Sequence, residues 1–559
     1  MDYMYMLKLI FTTFIGVFGV NWLFHKFYIS SKRDFTSVAY NQQANISSVR
    51  KENETAHYRN FLVPLGFPLI TGLSLSLKYK IRNGNFADVW KAIMELAGNN
   101  TITFKNGAES VNLKEVNGMA SHLLQLCDQY RNVGIAVPQS SLQGFVMSIA
   151  AMIGSVKGSL KPHFLASIPR QKFEDMDVLL ISSWSAYKML NGSEKWYKLV
   201  IVCEPMKDDI DVPDHVQSWD SILQGYVINA SFQYTPAEDN SDDTKIAVYA
   251  TSSWNATTSF TQGCLVSGIA SFIQGFPSGH QLTCVDSLAV AGRLGDVDLS
   301  IHFWHKALAV LLHGGCLSFV SEPGAELKNL RGSTLLFCEP KFLSHILDEI
   351  KTRNCSLWRK LRFAWATALL SEGVFTNSGQ SPFAALDELR CVFVAEHIQN
   401  TQLVSSFPER IPTRQPSFAA LSRELLTSEK LNSIRAQLGS RVVVELYCPY
   451  VVMGPLFQTS FYDYRVLPSS VDSDFLCCGA ISTNLEGKLV KTDENPELDV
   501  TKRQGMLCVR GFTIGKPLDH DRLEAAMKLS AKFSGGEGWM PMVGIFGLWG
   551  KDGCLYIYK

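Results

Sequence analysis

The sequence predicts a layered α/β fold with a β-rich C-terminal subdomain, preceded by an N-terminal membrane anchor. Three observations predict it. From residue 83 onward, apolar runs of strand length alternate with segments of helical spacing. After about residue 440 the chain turns to short β-rich pieces separated by turns. At the start, one apolar stretch is long enough to cross a bilayer.

The anchor comes first. Residues 9–24, LIFTTFIGVFGVNWLF, are apolar apart from two Thr and one Asn. With Phe27, Tyr28 and Ile29 the stretch reaches about 20 residues, the span of a hydrocarbon core. Trp22 and Tyr28 suit an interface, and His25, Lys26, Lys32 and Arg33 follow it. By the positive-inside rule the bulk of the chain lies in the cytosol. The alternative is a cleaved signal peptide, but there is no basic start and no small-x-small site after the run. The anchor is assigned to 1–30 and a linker to 31–82. Within that linker, 61–77 (FLVPLGFPLITGLSLSL) is apolar but broken by Pro64, Gly66, Pro68 and Gly72. It reads as a segment in the membrane interface or as one packed on the soluble body.

The α/β region is assigned to 83–440. FADVWKAIMEL (86–96) and VNGMASHLLQLCDQY (116–130) carry helical periodicity. VGIAVPQ (133–139) and DVLLISSW (177–184) read as buried strands. A polar loop, 235–244, precedes the strand IAVYA (246–250), and PERIPTRQPS (408–417) is a surface excursion. RVVVELY, GKLVKTD, GMLCVRGF and CLYIYK supply the β-rich subdomain, assigned to 441–559.

Composition excludes some functions. The 559 residues are 46% hydrophobic and 19% charged, and Lys+Arg and Asp+Glu both number 52. Zero net charge gives no sign of a nucleic-acid partner, which normally needs a basic face. The 13 cysteines include no C-x-x-C pair. That disfavours zinc and a disulfide framework, and favours reduced thiols. The scattered N-x-S/T triplets are attributed to chance.

The most informative stretch is IAVYATSSWNATTSFTQGCL (246–265): strand, hydroxyl-rich loop, then an apolar helical segment. That arrangement commonly holds a phosphate. Yet Thr251 to Gln262 contains neither glycine nor lysine. Thr251, Ser252, Ser253, Thr257, Thr258 and Gly263 are the nucleotide-loop candidates. The other reading is a surface loop whose hydroxyls cap a helix starting near 264.

Taken in order, the pieces from about 83 to 559 resemble the large domain of adenylate-forming (AMP-binding) enzymes, nearest to long-chain fatty-acid–CoA ligases. IAVYATSS sits where that family has the strand before its phosphate loop, and TQGCLVSGIASFI (261–273) resembles its "T-H-x-N" helix start. LLHGGCLSF (311–319) and STLLFCEPKFLSHILDEI (333–350) resemble further turns, strands and a helix. VVELYCPYV (443–451) falls at "Y-G-x-T-E". CGAISTNLEGKLV (478–490), GMLCVRGFTIGKP (505–517) and 537–559 resemble the closing strands. The resemblance implies a layered fold, a carboxylic acid substrate, ATP, Mg²⁺ and coenzyme A.

It also implies losses. Trp254 lies in the phosphate loop. Val451 stands where the family's metal-binding glutamate would be, and valine cannot ligate Mg²⁺. Tyr447 is the adenine-pocket candidate, or else a core tyrosine. Met542, Val543 and Gly544 replace "T-G-D", and a lost charge-assisted acceptor costs about 1.5–3 kcal/mol. The sequence ends at Lys559, where the family's hinge and small lysine-bearing domain would follow. His302, His305 and His313 cluster in sequence, and His302 and His305 are at metal-ligand spacing on a helix, but no carboxylate or third ligand lies nearby, so packing or surface histidines are the better reading. Asp296 and Asp298 carry no information by spacing alone, and no Gly-x-Ser-x-Gly elbow occurs.

The expectation is a membrane-anchored, acyl-CoA-synthetase-like protein of fatty-acid and lipid metabolism. It has no catalytic residues, no metal site and no resident cofactor. Its partners would be membrane lipid, fatty acid or acyl-CoA, and lipid-metabolism proteins. The endoplasmic reticulum or a lipid droplet is the expected location. One alternative is an active ligase using ATP and Mg²⁺; another is a ligand-free scaffold.

Overall fold

The computed structural model describes residues 3–47, 51–77, 79–104, 107–173, 175–206, 212–252, 256–292, 301–321, 327–353, 356–380, 386–398, 426–448, 450–493, 495–534 and 538–558. Ser253, Trp254, Asn255, Asp296, Asp298 and the 408–417 excursion lie outside the described residues.

The chain opens with α1 (Tyr3–Leu23). The helical run continues in a π-helical turn, Phe24–Ile29, and ends at Lys32. The run Met4–Lys32 is long and apolar enough to span a membrane. Its residues from Met4 to Phe18 are all exposed, as an apolar helix is when no protein covers it.

Two sheets form the body. In the smaller one, six parallel strands run in the spatial order Val216–Ser218, Leu199–Val202, Val178–Ile181, Asn132–Ile135, Lys161–Leu165 and β1 (Ile246–Thr251). Then β2 (Thr257–Thr261) pairs antiparallel with β1, and Lys516–Pro517 closes the edge. Helix α2 (Gln262–Gln274) follows β2 directly. In the larger, 15-stranded sheet, one half is a parallel run that includes β3 (Ser287–Gly292), β4 (Leu335–Cys338), β5 (Cys391–His397) and β6 (Arg441–Tyr447). These strands are buried on both faces, which is why they read as unbroken apolar runs. Helix α3 (Trp304–Leu312) comes between β3 and β4 in the chain, and α4 (Leu357–Ser371) between β4 and β5.

The other half of that sheet is antiparallel and is built from the C-terminal strands, Phe475–Ile481 through Leu555–Tyr558. Its far edge is completed by two short strands from the N-terminal linker, Ala44–Ile46 and Tyr58–Asn60.

One continuous core joins the sheets. It contains Phe86 and Trp90, Phe145, Ile269, Trp304 and Leu308, with strand residues from both sheets. The helix Phe86–Ala97 shows how local chemistry fixes an element. Asn85 and Asp88 form a reciprocal capping box at its start. Its buried Phe86, Val89, Trp90, Ile93 and Ala97 recur at helical spacing.

Residues 61–77 form no helix. Val63 and Leu69 are buried, and Ile70 N–H donates to the Thr483 carbonyl (3.3 Å). Phe61, Leu62, Leu65 and Phe67 remain exposed.

Candidate functional site

The described nucleotide-loop candidates, Thr251, Ser252, Thr257, Thr258 and Gly263, lie on the β1–β2 hairpin and the start of α2, whereas Tyr447 lies elsewhere, at the end of β6. Inside the hairpin the hydroxyls face one another: Thr251 and Thr257 Oγ1 lie 3.0 Å apart, and Ser252 Oγ accepts from Ala256 N–H (3.3 Å). Thr258 is buried, and its Oγ1 has no partner among the described residues. Ser259 Oγ donates to the Lys516 carbonyl, which closes the hairpin's outer edge. The helix begins at Gln262 and not near 264. Thr261 is its cap, accepting from Cys264 N–H (3.2 Å), and Gln262 N–H donates to the Lys245 carbonyl (2.7 Å). Two donors that an anion would seek at a helix N-terminus are therefore already engaged. Gly263 sits in that first turn against the Asp243 carbonyl, 3.1 Å from where a Cβ would lie.

A second cluster lies at the carboxyl ends of β5 and β6, where open α/β sheets place their ligands. Lys306, in the first turn of α3, is fully buried and pairs with Glu445 of β6 (Nζ–Oε1 2.7 Å). Tyr447 donates its hydroxyl proton to the other Glu445 oxygen (2.7 Å). Desolvation lowers the Lys306 pKa, and Glu445 opposes that shift. Burial, with Glu445 adding to it, raises the Tyr447 phenol well above its ordinary value. The aromatic rings of Phe272 and Phe393 cover the ammonium, at 4.2 and 4.7 Å from their centroids.

Three histidines complete the cluster. His302 and His305 are both fully buried, and the His302 ring meets Tyr447 at 4.5 Å between centroids, tilted by 45°. His397, from the end of β5, lies 6.1 Å from His302 between ring centroids. None of their six ring nitrogens has a hydrogen-bond partner among the described residues. Burial holds His302 and His305 well below the usual imidazole range and His397 down to about 4. All three are neutral at pH 7. No group of three or more ligating side chains able to hold a metal is found among the described residues. His313 stands apart, its Nδ1 2.8 Å from the Ala309 carbonyl oxygen.

Sequence reasoning named Tyr447 by itself and His302 with His305 as neighbours, without joining the two. It missed Lys306, His397 and Glu445, whose only signal is an ionisable side chain in or at the end of an apolar run. Val451 is buried in the apolar cluster of the C-terminal sheet. Met542, Val543 and Gly544 lie within the strand Met540–Trp549. Asp242, beside the start of α2, accepts from Asn85 (2.8 Å) and pairs with Lys245 (2.7 Å).

A third feature adjoins the second. An apolar cavity of about 420 Å³ opens between the larger sheet and the chain leaving the anchor. Val38, Phe61 and Leu62 lie at its exposed side, and Phe272, Phe276 and Phe393 form its inner wall. The two rings that cover Lys306 thus also line the cavity.

Comparison with known proteins gives the following. No protein-family model matches the chain. It is 49% identical over 564 residues to the uncharacterized protein YHR045W of Saccharomyces cerevisiae, covering 100% of both chains. Among solved structures, a long-chain-fatty-acid-CoA ligase (FadD1) from Archaeoglobus fulgidus superposes with a TM-score of 0.57, at 12% identity, over 89% of this chain and 86% of that one. The amide bond synthetase McbA from Marinactinospora thermotolerans gives 0.52, at 13% identity, over 85% and 79%. The N-terminal domain of FACL13 from Mycobacterium tuberculosis gives 0.51, at 10% identity, over 85% of this chain and all (100%) of that one. The fold is that of the adenylate-forming, AMP-binding enzymes.

Proposed function

Because the chain belongs to one family with the yeast protein YHR045W and has the adenylate-forming fold, we propose that it is a membrane-anchored, acyl-CoA-synthetase-like protein of fatty-acid and lipid metabolism. It binds a fatty acid or acyl-CoA at a lipid surface and does not activate it. The apolar cavity beside the end of the anchor carries this reading. Its walls are mostly aromatic and aliphatic, with polar groups such as Gln42, Gln43, Asn60 and Gln458 among them, and its exposed side adjoins the segment where the chain leaves α1. A long acyl chain gains most by leaving water for such a space, at about 0.8 kcal/mol per buried CH₂.

The nucleotide side supports binding over catalysis. The Thr251, Ser252 and Thr257 hydroxyls of the hairpin and two α2 donors are engaged within the chain. Val451 offers no metal ligand. The protein therefore needs no resident cofactor. α1 holds it in a membrane of the endoplasmic reticulum or at a lipid droplet, with lipid-metabolism proteins as its partners.

The test is photocrosslinking of the full-length protein in membranes with a diazirine-bearing palmitate, followed by peptide mapping. Labelling should fall on 269–277 and 393, and excess palmitate should compete it away. Labelling confined to α1, or none, would replace this reading with a ligand-free scaffold.

A further inference from the structure

We propose that α4 (Leu357–Ser371) is a second membrane contact, lying in the headgroup region of an anionic leaflet beside the exit of α1. Its occupant is a lipid surface.

Helix α4 leaves a row of large apolar side chains uncovered. Leu357, Trp358, Leu361 and Trp365 are 72%, 75%, 55% and 49% exposed. Four large apolar side chains within nine positions of one helix are not a scatter of single surface residues. At about 100° per residue, Leu357, Leu361 and Trp365 fall on one stripe roughly 80° wide, with Trp358 at its edge. The buried Ala366 and Leu370 fall on the opposite side, and buried Leu369 lies next to Trp358, where the stripe meets the body. The stripe therefore points away from the body.

Charge flanks it. Lys360 and Arg362 are exposed, one on each side of the stripe. An apolar face bearing Trp and Leu between basic residues is the pattern of a helix that lies in an interface. Basic side chains there meet the negative surface potential of anionic lipid.

Position selects this occupant over a protein. The C-terminal half of α4 is fixed to the end of the helical run Met4–Lys32. Trp365 meets the Phe24 ring at 5.9 Å, and Ile29 packs with Leu369 and Val374. Arg33 donates through Nε to the Glu372 carbonyl (2.8 Å) and pairs with the Glu372 carboxylate (3.5 Å). Phe24 follows Trp22, and Lys26 reaches back over the Trp22 ring at 4.6 Å. Aromatic and basic residues together mark the depth at which a spanning helix leaves the hydrocarbon. The α4 stripe starts from that same level. The inference rests on α1 being the anchor.

The experiment uses the full chain reconstituted in phosphatidylcholine–phosphatidylserine vesicles. Flotation after an alkaline carbonate wash reports α1. Tryptophan emission lost on the double substitution W358F/W365F reports α4. Quenching of that difference signal by lipids brominated on the acyl chains should reach about twofold, with little quenching by aqueous iodide. K360E/R362E should reduce the bromolipid quenching and leave flotation intact. If the protein floats and iodide quenches the difference signal, the α4 proposal fails while the anchor stands. Shielding from both quenchers would place protein on this face, from a second copy or from this chain, and would overturn the proposal. If the protein does not float, the anchor reading and this one fall together.

Discussion

The Lys306–Glu445 pair is the most exacting residue-scale feature. Both side chains are fully buried, and they sit 2.7 Å apart. Removing one partner leaves a charge in an apolar core, whereas removing both does not. Lys306→Ala or Glu445→Ala should each destabilise by about 3–5 kcal/mol, read as a shifted urea midpoint of the detergent-solubilised full chain. The double substitution K306M/E445L should cost less than either single change.

The buried histidines predict a pH dependence. His397 and His163 both have pKa values near 4, chiefly through burial. Unfolded imidazoles titrate near 6.5, so between about pH 6.5 and 4 the unfolded chain binds more protons. Stability is therefore full above that window and falls as pH drops through it. Each such histidine contributes about 1.4 kcal/mol per pH unit. Unfolding midpoints between pH 7 and 5 should show the loss, and His397→Leu should reduce the slope. The cluster was only partly legible in the sequence, because Lys306 and Glu445 are 139 residues apart and no local pattern links them.

At the scale of elements, two positions test how the site's supports are built. Gly479 has a φ of 78°, and a Cβ there would lie 2.1 Å from the Gln458 carbonyl oxygen. Gly479→Ala should lower the thermal midpoint by several degrees, since both the left-handed backbone and the close strand oppose a side chain. Thr261→Ala removes the α2 cap and should cost about 1 kcal/mol, again read from the urea midpoint.

The long elements were readable beforehand because their signal is local. Phe86–Ala97 carries its own cap and period, and β6 is a run of β-branched residues closed by Tyr447. Ala44–Ile46 and Tyr58–Asn60 were not readable, being three residues each inside a stretch read as linker. Tyr58–Asn60 gains its strand character by pairing with Leu485–Val490, far away in sequence, and Ala44–Ile46 by pairing with Tyr58–Asn60 in turn. Helix α4 was also passed over: Leu357, Trp358, Leu361 and Trp365 do not face the core, so periodicity could locate the helix but not its purpose.

For the whole molecule, the fold class was legible because the order of weak motif matches tracks the order of strands and helices. The cavity was not, because its walls come from 35–62, 272–277, 393 and 443–480 and meet only after folding. The account holds that this architecture retains a place for an acyl chain and has lost the means to adenylate it. The measurement that bears on it most directly is ATP–pyrophosphate exchange by full-length protein in vesicles, with Mg²⁺ and long-chain fatty acids. The account predicts exchange at the protein-free background for every acid tried. Exchange that depends on both the fatty acid and the protein, and scales with protein concentration, would contradict it.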